Sequence, residues 1–334
     1  MQRSPASVLE NAVLQVDDDS AITSAIPIRL FRADPMDYTP FAAAWEDQLA
    51  ALDVTCVDSP DEATTVVARG EEALIPFARL DKQFLVWTHE PRFSARQQRV
   101  AMVPGFCNPI LFLNAYTGLI YVDPFLYFTA GPLAFDQAMR AFSDKPLRAA
   151  ILATFRLHSS LTVNGEERDL MGFRQEVALL LHAKGYCDVY GRGWPESVIL
   201  SGESRGGNWS SVKKEILQRY AINIAIENTY QRYYISEKIW HAVFWGCLPV
   251  YYGADSGIYD VFPHDSFIEA AGKTAEEVAD MIGSMGRNEM TDRYEKCLRA
   301  VTEVNEPHNA QRLSQERALR RAVDFLRSRR PGVS

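Results

Sequence analysis

The order of apolar and polar positions divides this chain of 334 residues into two successive α/β patterns. The first opens at Ile26, where IPIRLF reads as a strand and YTPFAAAWEDQLAAL carries amphipathic-helix spacing. Short apolar runs predict further strands at DVTCV, TTVVA and FLVWT, the last ending just before His89 and Glu90. Residues 104–127 are apolar and aromatic, the pattern of buried strand and loop. The stretch AFSDKPLRA then breaks the periodicity and reads as a linker. Beyond it strands and helices alternate regularly. The strands are AAILATF, CDVY, AINIAI and LPVYY, and the helices cover 173–183, 210–219, 236–245 and 274–285. Such alternation predicts a parallel, doubly wound sheet.

The implied organisation is an arm over 1–24, an α/β domain over 25–145, a second α/β domain over 146–305 and a basic amphipathic helix over 306–334. In that last helix Leu313, Leu319, Ala322, Val323 and Leu326 share a face, with arginines around the remainder. Packing back across the first domain is the expected fate of that face. The last arginines are left to meet anionic lipid, a peripheral contact at the inner face of a membrane.

Composition narrows the function. Hydrophobic residues make up 47% and charged residues 23%, the proportions of a globular protein of two ordinary domains. A net charge of −8 argues against an extended nucleic-acid surface but leaves room for a small anion site. The five cysteines are scattered without CxxC spacing, which argues against a disulfide framework or a structural zinc, and Cys247 reads as a buried thiol. No apolar run reaches membrane-spanning length, and the first twenty residues lack the layout of a secretion signal, so a cytoplasmic location is expected. Asp17, Asp18 and Asp19 sit in the polar arm and read as a solvated run, not a metal site. The Gly-rich SGESRGGNWSS lacks the GxGxxG fingerprint and reads as a mobile loop.

The stretch AINIAIENTYQRYYISEKIWHAVFWGCLPVYYG carries the chemistry. Ile222, Ile224 and Ile226 alternate as in a strand, which ends at Glu227 and Asn228. Ser236 takes the N-cap position of a helix, placing Glu237 and Lys238 in its first turn, and Gly246 closes it. Ligands of parallel sheets bind beyond the carboxyl ends of the strands. Glu227, Asn228, Tyr234, Glu237 and Lys238 should meet at that edge. A helix start with an adjacent lysine attracts phosphate, and a carboxylate there can accept both hydroxyls of a ribose. An ordinary capped helix with a surface Glu–Lys pair fits the same spacing.

The run Glu227-Asn228-Thr229, then Tyr234-Ile235-Ser236-Glu237-Lys238, then Gly246-Cys247-Leu248-Pro249-Val250 resembles the donor motif of glycosyltransferase family 10, the α1,3-fucosyltransferase family. Asp188-Val189-Tyr190-Gly191-Arg192 and Asp265-Ser266-Phe267-Ile268 match two further elements of that family, so the likeness spans roughly residues 174–282. It implies the GT-B arrangement, in which two Rossmann-like domains face a central cleft. It also implies transfer of L-fucose from GDP-fucose, with inversion and no cofactor or metal, to a hydroxyl of a glycan acceptor such as a bacterial surface polysaccharide. Lys238 and Arg174 would contact the diphosphate, with Arg168 the alternative if the alignment slips. Glu237 would take the ribose hydroxyls, and Asn228, Tyr234, Tyr190 and Gly191 would line the donor pocket. The base is a Glu after a first-domain strand, in a Glu-Ser-Pro context; Glu90 in His89-Glu90-Pro91 is its nearest counterpart, and His89 a second candidate. Thr229 and Tyr233 also depart from the family pattern. Two readings stay open beside the first: another nucleotide deoxysugar as donor, or a nucleotide-sugar-binding protein without turnover.

Overall fold

The computed structural model describes residues 27–92, 96–128, 134–157, 160–201, 209–304 and 307–329. The arm with Asp17 to Asp19 and most of SGESRGGNWSS lie outside the described residues. The chain divides into two compact units. The first runs to Val122 and resumes at Arg312, and the second covers Asp123–Gln311.

In the first unit the chain order is β1 (Ile28–Arg32), α1 (Glu46–Ala50), β2 (Val54–Cys56), β3 (Thr65–Ala68), α2 (Glu71–Leu74), β4 (Gln83–Trp87), β5 (Val100–Ala101) and β6 (Ile110–Leu113). The sheet order is β2-β1-β3-β4-β6-β5, parallel except for β5 against β6. Strands β3 and β6 are buried at every position, which explains why they read as unbroken apolar runs. The helix expected over YTPFAAAWEDQLAAL is confined to a 3-10 turn, Ala43–Trp45, followed by α1. Tyr38 lies in the left-handed region (φ 65°) and the Thr39 hydroxyl accepts the Phe41 N–H, so the first half stays in turns.

The second unit contains α3 (Phe135–Ser143), β7 (Ala149–Leu152), a hairpin of β8 (Thr162–Val163) and β9 (Glu166–Glu167), α4 (Met171–Ala183), β10 (Cys187–Tyr190) and β11 (Ile199–Ser201). There follow α5 (Trp209–Leu217), β12 (Ile222–Ile224), α6 (Glu237–Phe244), β13 (Leu248–Tyr251), β14 (Ile268–Glu269), α7 (Ala275–Ser284) and α8 (Arg287–Thr302). The terminal helix α9 (Pro307–Ser328) completes the chain. Its sheet, β11-β10-β7-β12-β13-β14, is parallel throughout. Counted within the unit this is the Rossmann order 3-2-1-4-5-6, and strand order reverses between β7 and β12. Both units are therefore Rossmann-like, the composition the resemblance implied.

The boundary departs from expectation. Residues 123–145 belong with the second unit, and AFSDKPLRA is no linker. Phe142 stacks on Tyr294 of α8 at 4.3 Å, and Lys145 is 7% exposed. The cause is α8, an element whose apolar positions (Met290, Tyr294, Cys297, Leu298, Val301) were not read from the sequence.

The terminal helix packs back on the first unit. Leu319, Ala322, Val323 and Leu326 are buried, whereas Leu313, placed on the same face by the pattern, is exposed. The Leu326 carbonyl accepts Gln83 Nε2 at 3.0 Å, and Arg321 donates to the Gly118 carbonyl at 3.2 Å. Arg327, expected among the arginines left for lipid, instead donates to the Leu52 carbonyl at 2.5 Å. No described helix is long and apolar enough to cross a membrane.

Candidate active site

Glu227 follows β12 directly beside the reversal point and is buried. Its Oε1 accepts the Ser236 N–H at 2.7 Å, and its Oε2 accepts the Ser236 hydroxyl at 2.8 Å and Lys238 Nζ at 2.7 Å. The buried Tyr251 hydroxyl also bonds to this carboxylate, and burial together with Glu227 pushes the phenol pKa up. Four donors on one buried carboxylate fix the start of α6 relative to β12 and β13, and satisfy the group as burial requires. Ser236 occupies the expected N-cap position, but its hydroxyl does not cap the helix. It is drawn to Glu227 and in turn accepts Lys238 Nζ at 2.8 Å. The N-cap side chain therefore leaves the first-turn backbone N–H groups without its oxygen, and of these the Glu237 N–H turns to its own carboxylate; an uncapped helix start is where an anion is taken.

Lys238 places two ammonium protons on Glu227 and Ser236, which leaves one for a ligand. Burial lowers its pKa, but Glu227 and Glu237 outweigh that and hold it above its ordinary value. Arg174, buried in the first turn of α4, donates Nη1 to the Ile226 carbonyl at 3.1 Å and to Asn228 Oδ1 at 2.8 Å. The Arg174 charge also acts on Lys238. The structure thus gathers Arg174, Glu227, Asn228, Ser236, Glu237 and Lys238 at one sheet edge. The alternative arginine, Arg168, lies over the Tyr230 ring at 4.8 Å and pairs with Glu166. Its backbone carbonyl accepts the Thr229 hydroxyl at 2.8 Å. Tyr234 is buried in the connecting loop, and Tyr233 beside it adopts φ 59° with its N–H on the Ser256 carbonyl.

Tyr190 and Gly191 end β10. The Tyr190 hydroxyl meets that of Tyr220 at 2.6 Å, and Tyr220 donates to Asp188 Oδ2 at 2.7 Å. Its polar end is thus occupied within a network beneath the sheet edge. Gly191 turns the chain with φ 121°.

Three residues were missed. Tyr251 is legible only through strand register, since Ile224 pairs with Val250 and sets Tyr251 level with the end of β12. Lys213 lies on the apolar stripe of α5 with Ile216 and Leu217, whereas Lys214 is exposed; a lysine at helical spacing among apolar residues was the available signal. His241, one turn into α6, stacks on Trp245 at 4.1 Å. Burial first, then Lys213, lowers its pKa to about 3, so the ring is neutral. Burial alone would raise the Glu237 pKa, but Lys238 and then Lys213 hold it well below the usual carboxylate range. Three cations (Arg174, Lys213, Lys238) against two carboxylates (Glu227, Glu237) leave one positive charge in the cluster. The amino end of α6 adds its partial positive charge. The arrangement suits an anion carrying hydroxyls.

The candidate base lies in the first unit. Glu90 is exposed just past β4, with its N–H on the Thr88 hydroxyl at 3.1 Å. His89 is occupied differently: its Nε2 accepts the Trp87 indole N–H at 3.1 Å, and burial lowers its pKa to about 4. Among the described residues no cluster of three His, Cys, Asp or Glu side chains suited to a metal appears.

Residues 166–320 match the family model described as glycosyltransferase family 10 (fucosyltransferase) C-term. No curated protein sequence matches the chain significantly. Among solved structures, the chain is similar to an α1,3-fucosyltransferase with GDP-fucose at 16% identity, covering 98% of each chain with a TM-score of 0.49. It is similar to Anabaena Alr3699/HepE with UDP and glucose at 11% identity, over 91% of this chain and 99% of that one, with a TM-score of 0.41. TarM is matched at 8% identity over 80% of this chain and 55% of its own, with a TM-score of 0.42. At these scores the structural likenesses carry no weight of their own.

Proposed function

We propose that this chain, whose residues 166–320 match the family 10 (fucosyltransferase) model, is a glycosyltransferase of that family and transfers L-fucose from GDP-fucose to a glycan hydroxyl with inversion. The observation that carries this reading is the buried Glu227 tying Ser236 and Lys238 to the start of α6, next to the Arg174–Asn228 pair. In the proposed site Lys238, Arg174 and the first-turn N–H groups of α6 receive the diphosphate. Glu237 accepts the ribose hydroxyls, while Asn228 and Tyr234 border the nucleotide. Tyr190 and Gly191 contribute shape at the end of β10.

The acceptor oxygen attacks the anomeric carbon and its proton passes to the Glu90 carboxylate. The bond to the diphosphate oxygen breaks and its electron pair leaves with GDP. Arg174 and Lys238 offset the charge that develops there, which is the work a metal would otherwise do. Glu90 is preferred over His89 because the His89 Nε2 lone pair already receives Trp87. The acceptor is proposed to be a surface polysaccharide of a bacterium.

The test is transfer from GDP-fucose to a panel of glycan acceptors. Glu90→Gln is expected to lower turnover by about 10²–10⁴-fold, the usual share of a general base, with GDP affinity unchanged. Near-normal turnover in that variant would move the base elsewhere. The altered context of Glu90 favours one second reading, a donor-binding protein without turnover; it predicts GDP-fucose binding with neither transfer nor hydrolysis.

A further inference from the structure

Lys213 has no part in the reading above, yet it is a buried cation beside the proposed ribose carboxylate. It is 9% exposed on the inner stripe of α5. Its ammonium lies 3.5 Å from Glu237 Oε1 and 3.4 Å from His241 Nδ1. The faces of Trp209 and Trp245 flank it at 5.7 and 5.9 Å. Every one of these contacts is long or aromatic, so the group is caged without a close ion pair. Such a lysine is poorly explained by stability. A buried ammonium costs desolvation, and an apolar side chain of similar length in the same stripe would be neutral or stabilising.

Glu237 shows what the lysine reaches. Its neighbour Lys238 turns to Glu227 and Ser236 instead. Among the described residues the side-chain hydrogen bond to the Glu237 carboxylate comes from Lys213, and it goes to Oε1. The carboxylate is thus held by its own backbone N–H and by the Lys213 ammonium on Oε1, with no side-chain donor closer than that lysine among the described residues. We propose that Lys213 is a positioning residue that aims the Glu237 carboxylate at the ribose hydroxyls of the donor nucleotide. The inference rests on Glu237 being the ribose acceptor, as proposed above. Neutral His241 accepts a Lys213 proton at Nδ1 and orients the ammonium.

The test measures calorimetric affinity for GDP and for 2′,3′-dideoxy-GDP in the full chain. The wild type should prefer GDP by about tenfold or more, the worth of hydrogen bonds to a charged acceptor. Lys213→Met should lose that preference, down to the level of Glu237→Gln, while its melting temperature holds or rises. Lys213→Arg should keep most of the preference, and Lys213→Met should remove nothing further in a Glu237→Gln background. A Lys213→Met protein that still prefers GDP as the wild type does, whatever its absolute affinity, overturns the assignment. So does failure of both Lys213→Met and Lys213→Gln to fold, which would make the lysine structural. Wild-type binding of GDP without preference over the dideoxy form would remove Glu237 from the ribose, and this inference with it. Failure of the wild type to bind GDP at all would instead defeat the donor-site reading.

Discussion

At its carboxyl end α6 turns its carbonyls toward one lysine, and at its amino end it begins beside two others. Lys145 donates to the carbonyls of Trp245 and Gly246 at 2.9 and 2.6 Å and to that of Leu217, at the end of α5, at 3.3 Å. All three ammonium protons are occupied, and the positive charge lies where the partial charge of a helix is negative. Lys238 and Lys213 sit at the opposite end, where that partial charge is positive. There the cations are balanced by Glu227 and Glu237 but not exhausted by them. One helix thus shows both uses of a buried lysine. A cation aligned with the helix dipole and fully bonded holds the fold, whereas cations set against it are stable only with carboxylates nearby and become more so when an anion arrives.

The sharpest way to break this contrast is at the carboxyl end. Gly246 closes α6 with φ 79°, its N–H on the Val243 carbonyl and the Cys247 N–H on that of Ala242, a Schellman closure that Lys145 completes. Lys145→Met leaves three carbonyls, two of them in buried contacts, without this partner and is expected to destabilise the protein by about 2–5 kcal/mol, read by denaturant unfolding. Below the unfolding transition its GDP affinity should match the wild type. A parallel loss of affinity would mean that the two ends are not separable.

A smaller effect sharpens the contrast through pH. The Glu237 carboxyl is held below its ordinary value of 4.5 against the opposing effect of burial. A group whose folded pKa is depressed adds stability above its unfolded value and loses it as pH falls toward the folded one. The wild-type melting temperature should therefore drop on acidification below about pH 4.5 more steeply than that of Glu237→Gln. Parallel curves would show that Glu237 is not held ionised by its lysine neighbours.

How much of this could be read from residue order follows the range of the interactions. The strands of the second unit were legible because a parallel sheet buried on both faces needs apolar runs, as in AINIAI and LPVYY. Glu227, Asn228, Glu237 and Lys238 were legible because one strand end and one helix start lie within eleven residues of each other. Lys145 was not: its partners stand 72 to 101 residues away, and a lysine in Ser-Asp-Lys-Pro looks like a linker residue. The early start of the second unit was hidden for the same reason, since α3 is held by a stacking contact with α8 far down the chain. Arg174 was placed by alignment spacing, and its bond to Asn228, which sets it at this sheet edge, spans 54 residues that no local pattern bridges. Lys213 lay in plain view on an apolar stripe.

The claim that the amino end of α6 grips a diphosphate is tested most directly by calorimetric titration of GDP into the wild type and Lys238→Ala. The account predicts a loss of affinity of about 10–100-fold in the variant, the worth of a charge-assisted hydrogen bond to phosphate. Equal affinity in the two proteins would contradict it.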